Sequence, residues 1–137
     1  MDLAPATSTP TGAARSATGC TPSPTALCLL GDRFRIEAAW RNPRDGTSGA
    51  ARAVPLLDRS GFFSFFDRGN PEVAVKLLDA RAVNDAFWLF DGRLTDLEYE
   101  LVVTDTATGA RRIYSRPAGS LCGGVDLESF VLADPLP

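Results

Sequence analysis

Two segments of this chain are apolar at almost every position: Gly61-Phe62-Phe63-Ser64-Phe65-Phe66-Asp67 and Ala86-Phe87-Trp88-Leu89-Phe90-Asp91-Gly92. Turn residues bound both of them, and their aromatic content favours β-strands. Side chains alternate between the two faces of a strand. An apolar residue at nearly every position therefore predicts that both faces are covered. The chain is expected to be all-β, with a dense aromatic core that takes up most of its rings.

The surrounding sequence supports more strands of the same kind. From Arg33 to Trp40 the pattern alternates, with Phe34, Ile36, Ala38 and Trp40 facing in and Arg33, Arg35 and Glu37 facing out. Residues 42–46 supply turn chemistry, and 51–57 form a second strand in which Pro55 marks a sheet edge or a bulge. After the Phe-rich strand come 72–78, a loop over 79–85, and the strand around Trp88. Residues 97–104 and 110–115 pair as a hairpin whose tight turn ends in Gly109, a residue free to adopt positive φ. A last strand is expected over 127–132. About eight strands at short intervals, without sustained helical periodicity, predict an antiparallel β-sandwich, Ig-like or barrel-like, with little helix.

Composition divides the chain in two. Residues 1–26 are mostly Ala, Thr, Ser, Pro and Gly, with Leu3 as the only large aliphatic, so they read as a linker or tail. Residues 27–137 are the sandwich domain, large enough to fold alone. The chain has 137 residues, a net charge of −3 and arginines interleaved with carboxylates, which leaves no basic stripe for nucleic acid. No stretch approaches a membrane span, and the N-terminus lacks the basic and apolar regions of a signal peptide. The start at Met1 is read as an artificial one, with any export signal already removed.

The order of these motifs resembles a domain recurrent in exported bacterial proteins. The matching residues are Leu-Cys-Leu (27–29), Arg-Phe-Arg-Ile-Glu (33–37) with Trp40, Gly-Phe-Phe-Ser-Phe-Phe (61–66), Val-Lys-Leu-Leu-Asp (75–79), Asn84 with Phe-Trp-Leu-Phe (87–90), and Val-Thr-Asp-Thr-Ala-Thr-Gly (103–109). That domain reads R-F-x-V, G-Y-F-W-F-F, V-K-V-L-D-G, F-W-V-F and V-T-D-T-x-T-G in the same order. Here Ser64 replaces the usual Trp, and Ala80 and Asp85 replace Gly. The resemblance, over about residues 27–130, implies a β-sandwich-like module of a secreted chain. It carries over no activity and no catalytic residue.

Cysteine usage agrees with export. Three cysteines, Cys20, Cys28 and Cys122, imply one bridge and one thiol that is free or joined to another chain. A long bridge to Cys122 would stabilise more, but nearness in sequence favours Cys20–Cys28, which is the expected pair. Zinc is disfavoured, because three thiols without histidine or C-x-x-C spacing miss its ligand patterns.

For chemistry the sequence offers mainly absences. It contains no histidine, which excludes Ser-His-Asp and Cys-His hydrolysis in their usual forms, and no phosphate-cradling glycine motif. Glu98 and Glu100 stand side by side on one strand face, whereas glycoside hydrolysis needs carboxylates across a cleft. Lys76 interrupts an apolar strand and reads as a lysine whose stem packs on the sheet. Asp67, Asn70, Asp79, Asn84 and Asp85 are loop oxygens of the kind that bind calcium, but their spacing is also that of ordinary turns. No cofactor is expected.

The expectation is a non-catalytic, extracellular interaction or adhesion module that binds protein or glycan. The candidate contacts are Arg33, Arg35, Arg41 and Arg44, the 41–50 loop and the sheet edges. Two alternatives are a structural subunit joined to its neighbours by strand addition of the tail, with self-association through tail or edge, and a secreted hydrolase inhibitor.

Overall fold

The computed structural model describes residues 19–131, so the larger part of the tail and the last six residues lie outside it. Ten strands and one short helix follow in order. They are β1 (Leu27–Leu29), β2 (Phe34–Asn42), β3 (Thr47–Ala50), β4 (Arg52–Leu57), β5 (Ser60–Ser64), β6 (Pro71–Ala80), α1 (Arg81–Asn84), β7 (Ala86–Arg93), β8 (Glu98–Asp105), β9 (Arg111–Arg116) and β10 (Gly124–Ser129). Sheet I runs β1-β2-β8-β9, with β3 also paired to β2; sheet II runs β10-β7-β6-β5-β4. Every pairing is antiparallel. The expected sandwich is therefore present, as two packed sheets rather than a closed barrel.

Alternation builds the core. Phe34, Ile36 and Ala38 of β2 are buried with Tyr99, Leu101 and Val103 of β8 on the inner face of sheet I. Opposite them lie Phe63, Val73, Val75, Leu77, Phe87 and Leu89 of sheet II. Phe34 makes edge contacts with Phe87 at 4.7 Å and with Phe130 at 5.3 Å, the geometry that suits the ring quadrupoles. Pro55 lies on the edge strand β4, and the register shifts beside it, so the proline marks both an edge and a bulge.

Four local readings are corrected. β1 and β3 are additional strands, and both borrow β2 as a partner. The Phe-rich strand ends at Ser64, whose hydroxyl donates to the Arg68 carbonyl, so Phe65 and Phe66 belong to the following bend. The last strand begins at Gly124 and not at 127. Its approach requires glycine, since a Cβ on Gly123 would lie 1.9 Å from the Asp91 carbonyl oxygen. Phe130, expected within that strand, instead leaves it with φ 54° and tucks into the core.

Six of the twelve aromatic residues are buried and Trp40 and Tyr114 pack half-buried against them, so the core takes up most of the rings, while Phe62, Phe66, Trp88 and Phe90 stay outside it. The described part of the tail, residues 19–26, lies against the domain. Cys20 is bridged to Cys28 with a Cα–Cα distance of 5.6 Å, and the Pro24 carbonyl accepts from the Ala53 N–H at 2.8 Å. Cys122 is free and exposed.

Candidate interaction face

The outer faces of the two sheets differ in kind. On sheet I the register sets Arg35 beside Thr104, Glu37 beside Val102, Ala39 beside Glu100 and Arg41 beside Glu98. β9 then adds Arg111, Ile113 and Ser115. This is a mixed, charged surface of the ordinary solvated kind.

The arginines singled out in the sequence are each matched to a carboxylate. Arg33 is bidentate on Asp105, at 2.9 and 2.8 Å, and its guanidinium sits 5.0 Å from the Phe87 ring. Arg35 pairs with Glu37 at 3.6 Å, Arg41 with Glu98 at 3.4 Å and Arg44 with Asp96 at 2.6 Å. They do not form a cationic patch. Arg33 turns off the face to close one end of the sandwich, while Arg44 and Asp96 tie two loops together at the other.

Sheet II presents the opposite surface. Along β7, Phe87 and Leu89 point inward, so Trp88 and Phe90 point outward, and both are half-buried. The pairing places Leu78 opposite Trp88, Lys76 opposite Phe90 and Ala74 opposite Gly92. It continues through Phe62 opposite Ala74 and Val54 opposite Phe62, while Val125 of β10 lies opposite Phe90 on the other side. The result is a sheet face of aromatic and aliphatic side chains with a lysine in the middle. Leu57, opposite Ser60, and Val125 at its two edges are 71% and 61% exposed.

No described residue covers this face, so the expectation that both faces of the two aromatic segments are covered is corrected. The signal was in the sequence, in the outward set Phe62, Trp88 and Phe90. The error lay in taking outward apolar residues for a second buried layer.

Trp88 is held in place rather than left loose. Its indole N–H donates to Asn84 Oδ1 at 3.1 Å, and the Asn84 amide donates to the Leu127 carbonyl at 2.8 Å. Lys76 is exposed, with its ammonium 5.4 Å from the centre of the Phe90 ring. It forms no ion pair with a described carboxylate.

Between the sheets the polar groups pair with one another. Asp91 is buried, receives two hydrogen bonds from Arg116 at 3.1 and 2.7 Å, and accepts the Tyr99 hydroxyl at 2.7 Å. Burial and that bond to Asp91 push the Tyr99 hydroxyl well above the usual phenol range. Arg93 gives its donors to the carbonyls of Thr95, Leu97 and Pro117. These clusters are fully occupied with structure, which leaves no poised acid, base or nucleophile among them.

Most of the remaining candidates are paired within the chain. Glu98 pairs with Arg41, and Glu100 accepts from Ser115 at 3.4 Å on the open face of sheet I. Asp67 accepts the Gly69 N–H, and Asp79 takes the Arg81 guanidinium. Among the described residues no three acids or thiols gather where a metal ion would sit. A depression of about 510 Å³ beside the disulfide is lined by Gly19, Cys20, Gly31, Asp32, Arg33 and Thr106, and its one cation is already bound to Asp105. In comparisons with known proteins, no family model, no curated protein and no solved structure matches this chain.

Proposed function

We propose that this chain is a non-catalytic binding module of an exported protein, and that it docks a protein partner on the outer face of sheet II. One observation carries the reading: Phe62, Leu78, Trp88 and Phe90 stand outward together on one sheet, while the outer face of the other is charged. A contiguous apolar face on a soluble domain marks an interaction site, and aromatic rings at its centre suit an anchor. The Cys20–Cys28 bridge favours an oxidising compartment, in keeping with export.

Strand addition is the weaker reading. β4 carries Pro55, β10 has a register break between Asp126 and Ser129, and β9 bears three arginines, all devices that discourage edge pairing. The test is capture. Immobilised chain should retain a protein from the extracellular fraction of its own organism, and a Phe62→Ser/Phe90→Ser variant with an unchanged circular dichroism spectrum should not. Equal retention by both would reject the face. Turnover of a glycan, ester or peptide lost on Glu98→Gln would reject the non-catalytic reading.

A further inference from the structure

Resting on that reading, we infer that Lys76 selects the partner: the docked protein surface is apolar and presents an Asp or Glu carboxylate to the Lys76 ammonium. The register makes Lys76 the cation at the middle of the face, between Ser60 on β5 and Phe90 on β7, with Leu78 next outward along β6. Arg35, Arg41 and Arg44 pair with carboxylates of the chain itself, whereas among the described residues the ammonium of Lys76 rests only against the Phe90 ring. A partner that covers Trp88 and Phe90 removes water from that ammonium, and a buried cation without a counter-charge is strongly penalised. The partner must therefore supply the missing charge.

Charge also argues against a second copy as occupant. A two-fold packing of this face on itself brings Lys76 towards Lys76, and like charges across an interface disfavour it. A glycan fits less well, because Val54, Leu78 and Val125 interleave the rings, while Ser60, Lys76 and, at the edge, Arg52 are the polar groups offered. An aliphatic–aromatic surface with Lys76 at its centre and Arg52 at its β4 edge matches protein side chains.

The probe is a phage-displayed library of random linear peptides panned on the full chain, with Lys76→Met, Lys76→Glu and Phe62→Ser/Phe90→Ser variants as comparators. Peptides that bind the wild type should carry an Asp or Glu among aromatic or aliphatic residues, weaken at least tenfold on Lys76→Met, and vanish on Phe62→Ser/Phe90→Ser. Panning on Lys76→Glu should select Lys or Arg at the same place. Loss on Phe62→Ser/Phe90→Ser with full retention on Lys76→Met would overturn the role of Lys76 and leave the docking face standing. Binding indifferent to every variant would overturn both. Three other results would also overturn this partner assignment: Lys76-dependent binding of oligogalacturonate, self-association lost on Phe62→Ser/Phe90→Ser, or peptide binding that appears only after cleavage behind residue 18.

Discussion

Phe87 and Trp88 are neighbours in sequence with opposite fates. Phe87 is 2% exposed and meets Phe34 edge-on at 4.7 Å, whereas Trp88 lies half-buried on the outside of β7. Phe87→Ala should cost about 3–5 kcal/mol, the usual range for emptying a packed aromatic site. Trp88→Ala leaves no closed cavity and should cost about 1 kcal/mol, mainly through lost area and its bond to Asn84. Urea titration of the two variants checks this, and similar losses for both would mean that the outer face is packed as a core.

Asp105 contributes to the acid response as the most buried of the carboxylates held below their ordinary value. Burial opposes its ionisation, but the Arg33 guanidinium and the Ala107 N–H override this and hold the carboxyl below its ordinary 3.8. A depressed carboxylate contributes stability that is fully present above its unfolded-state value and lost as pH falls through the folded one. The urea midpoint should therefore drop on acidification below about pH 4, and Asp105→Asn should show a shallower fall. An unchanged slope in the variant would remove Asp105 from the account. The sequence alone named Arg33 as a surface contact; it did not show that Asp105, far along the chain, would claim it.

Among the elements, hairpins were the most legible. The β8–β9 turn places Gly109 at φ +81° with its N–H on the Asp105 carbonyl at 2.7 Å, the positive φ that its turn position called for. β2 was legible because its apolar residues alternate without a break. β3 and β10 were not, since their pairing depends on close approaches and not on pattern. Gly49 packs against the Trp40 indole, and Gly123 against the Asp91 backbone.

The Cys20–Cys28 clip belongs to this scale as well, with a sequence separation of 8 that closes a short loop. It holds Cys20 and Ala26 buried and lays Pro24 against edge strand β4. A Cys20→Ser/Cys28→Ser variant should lose about 2.5 kcal/mol by the chain-entropy relation. Thermal unfolding under oxidising conditions measures it, and a loss near zero would mean that the segment is held by its other contacts.

At the scale of the molecule the sandwich is asymmetric. Sheet I meets solvent with charge, and sheet II meets it with Phe62, Leu78, Trp88 and Phe90 around Lys76. The fold class was legible from alternation and turns because both are local signals. The use of the second face was not. A strand sequence states which side chains share a face, but what covers that face depends on tertiary context, and outward aromatic residues look the same in a core layer and in an interface. The carboxylate partners of the four arginines were only partly legible: Glu37 stands two residues from Arg35 on β2, but Asp105, Glu98 and Asp96 are far along the chain from Arg33, Arg41 and Arg44.

The most direct test of the docking face is site-specific photocrosslinking in the native organism. A photoreactive benzoylphenylalanine replaces Phe90 on sheet II in one experiment and Val102 on the outer face of sheet I in another. A covalent adduct with a second protein from position 90, and none from position 102, is the predicted result. Adducts from position 102 with none from position 90 would contradict the account.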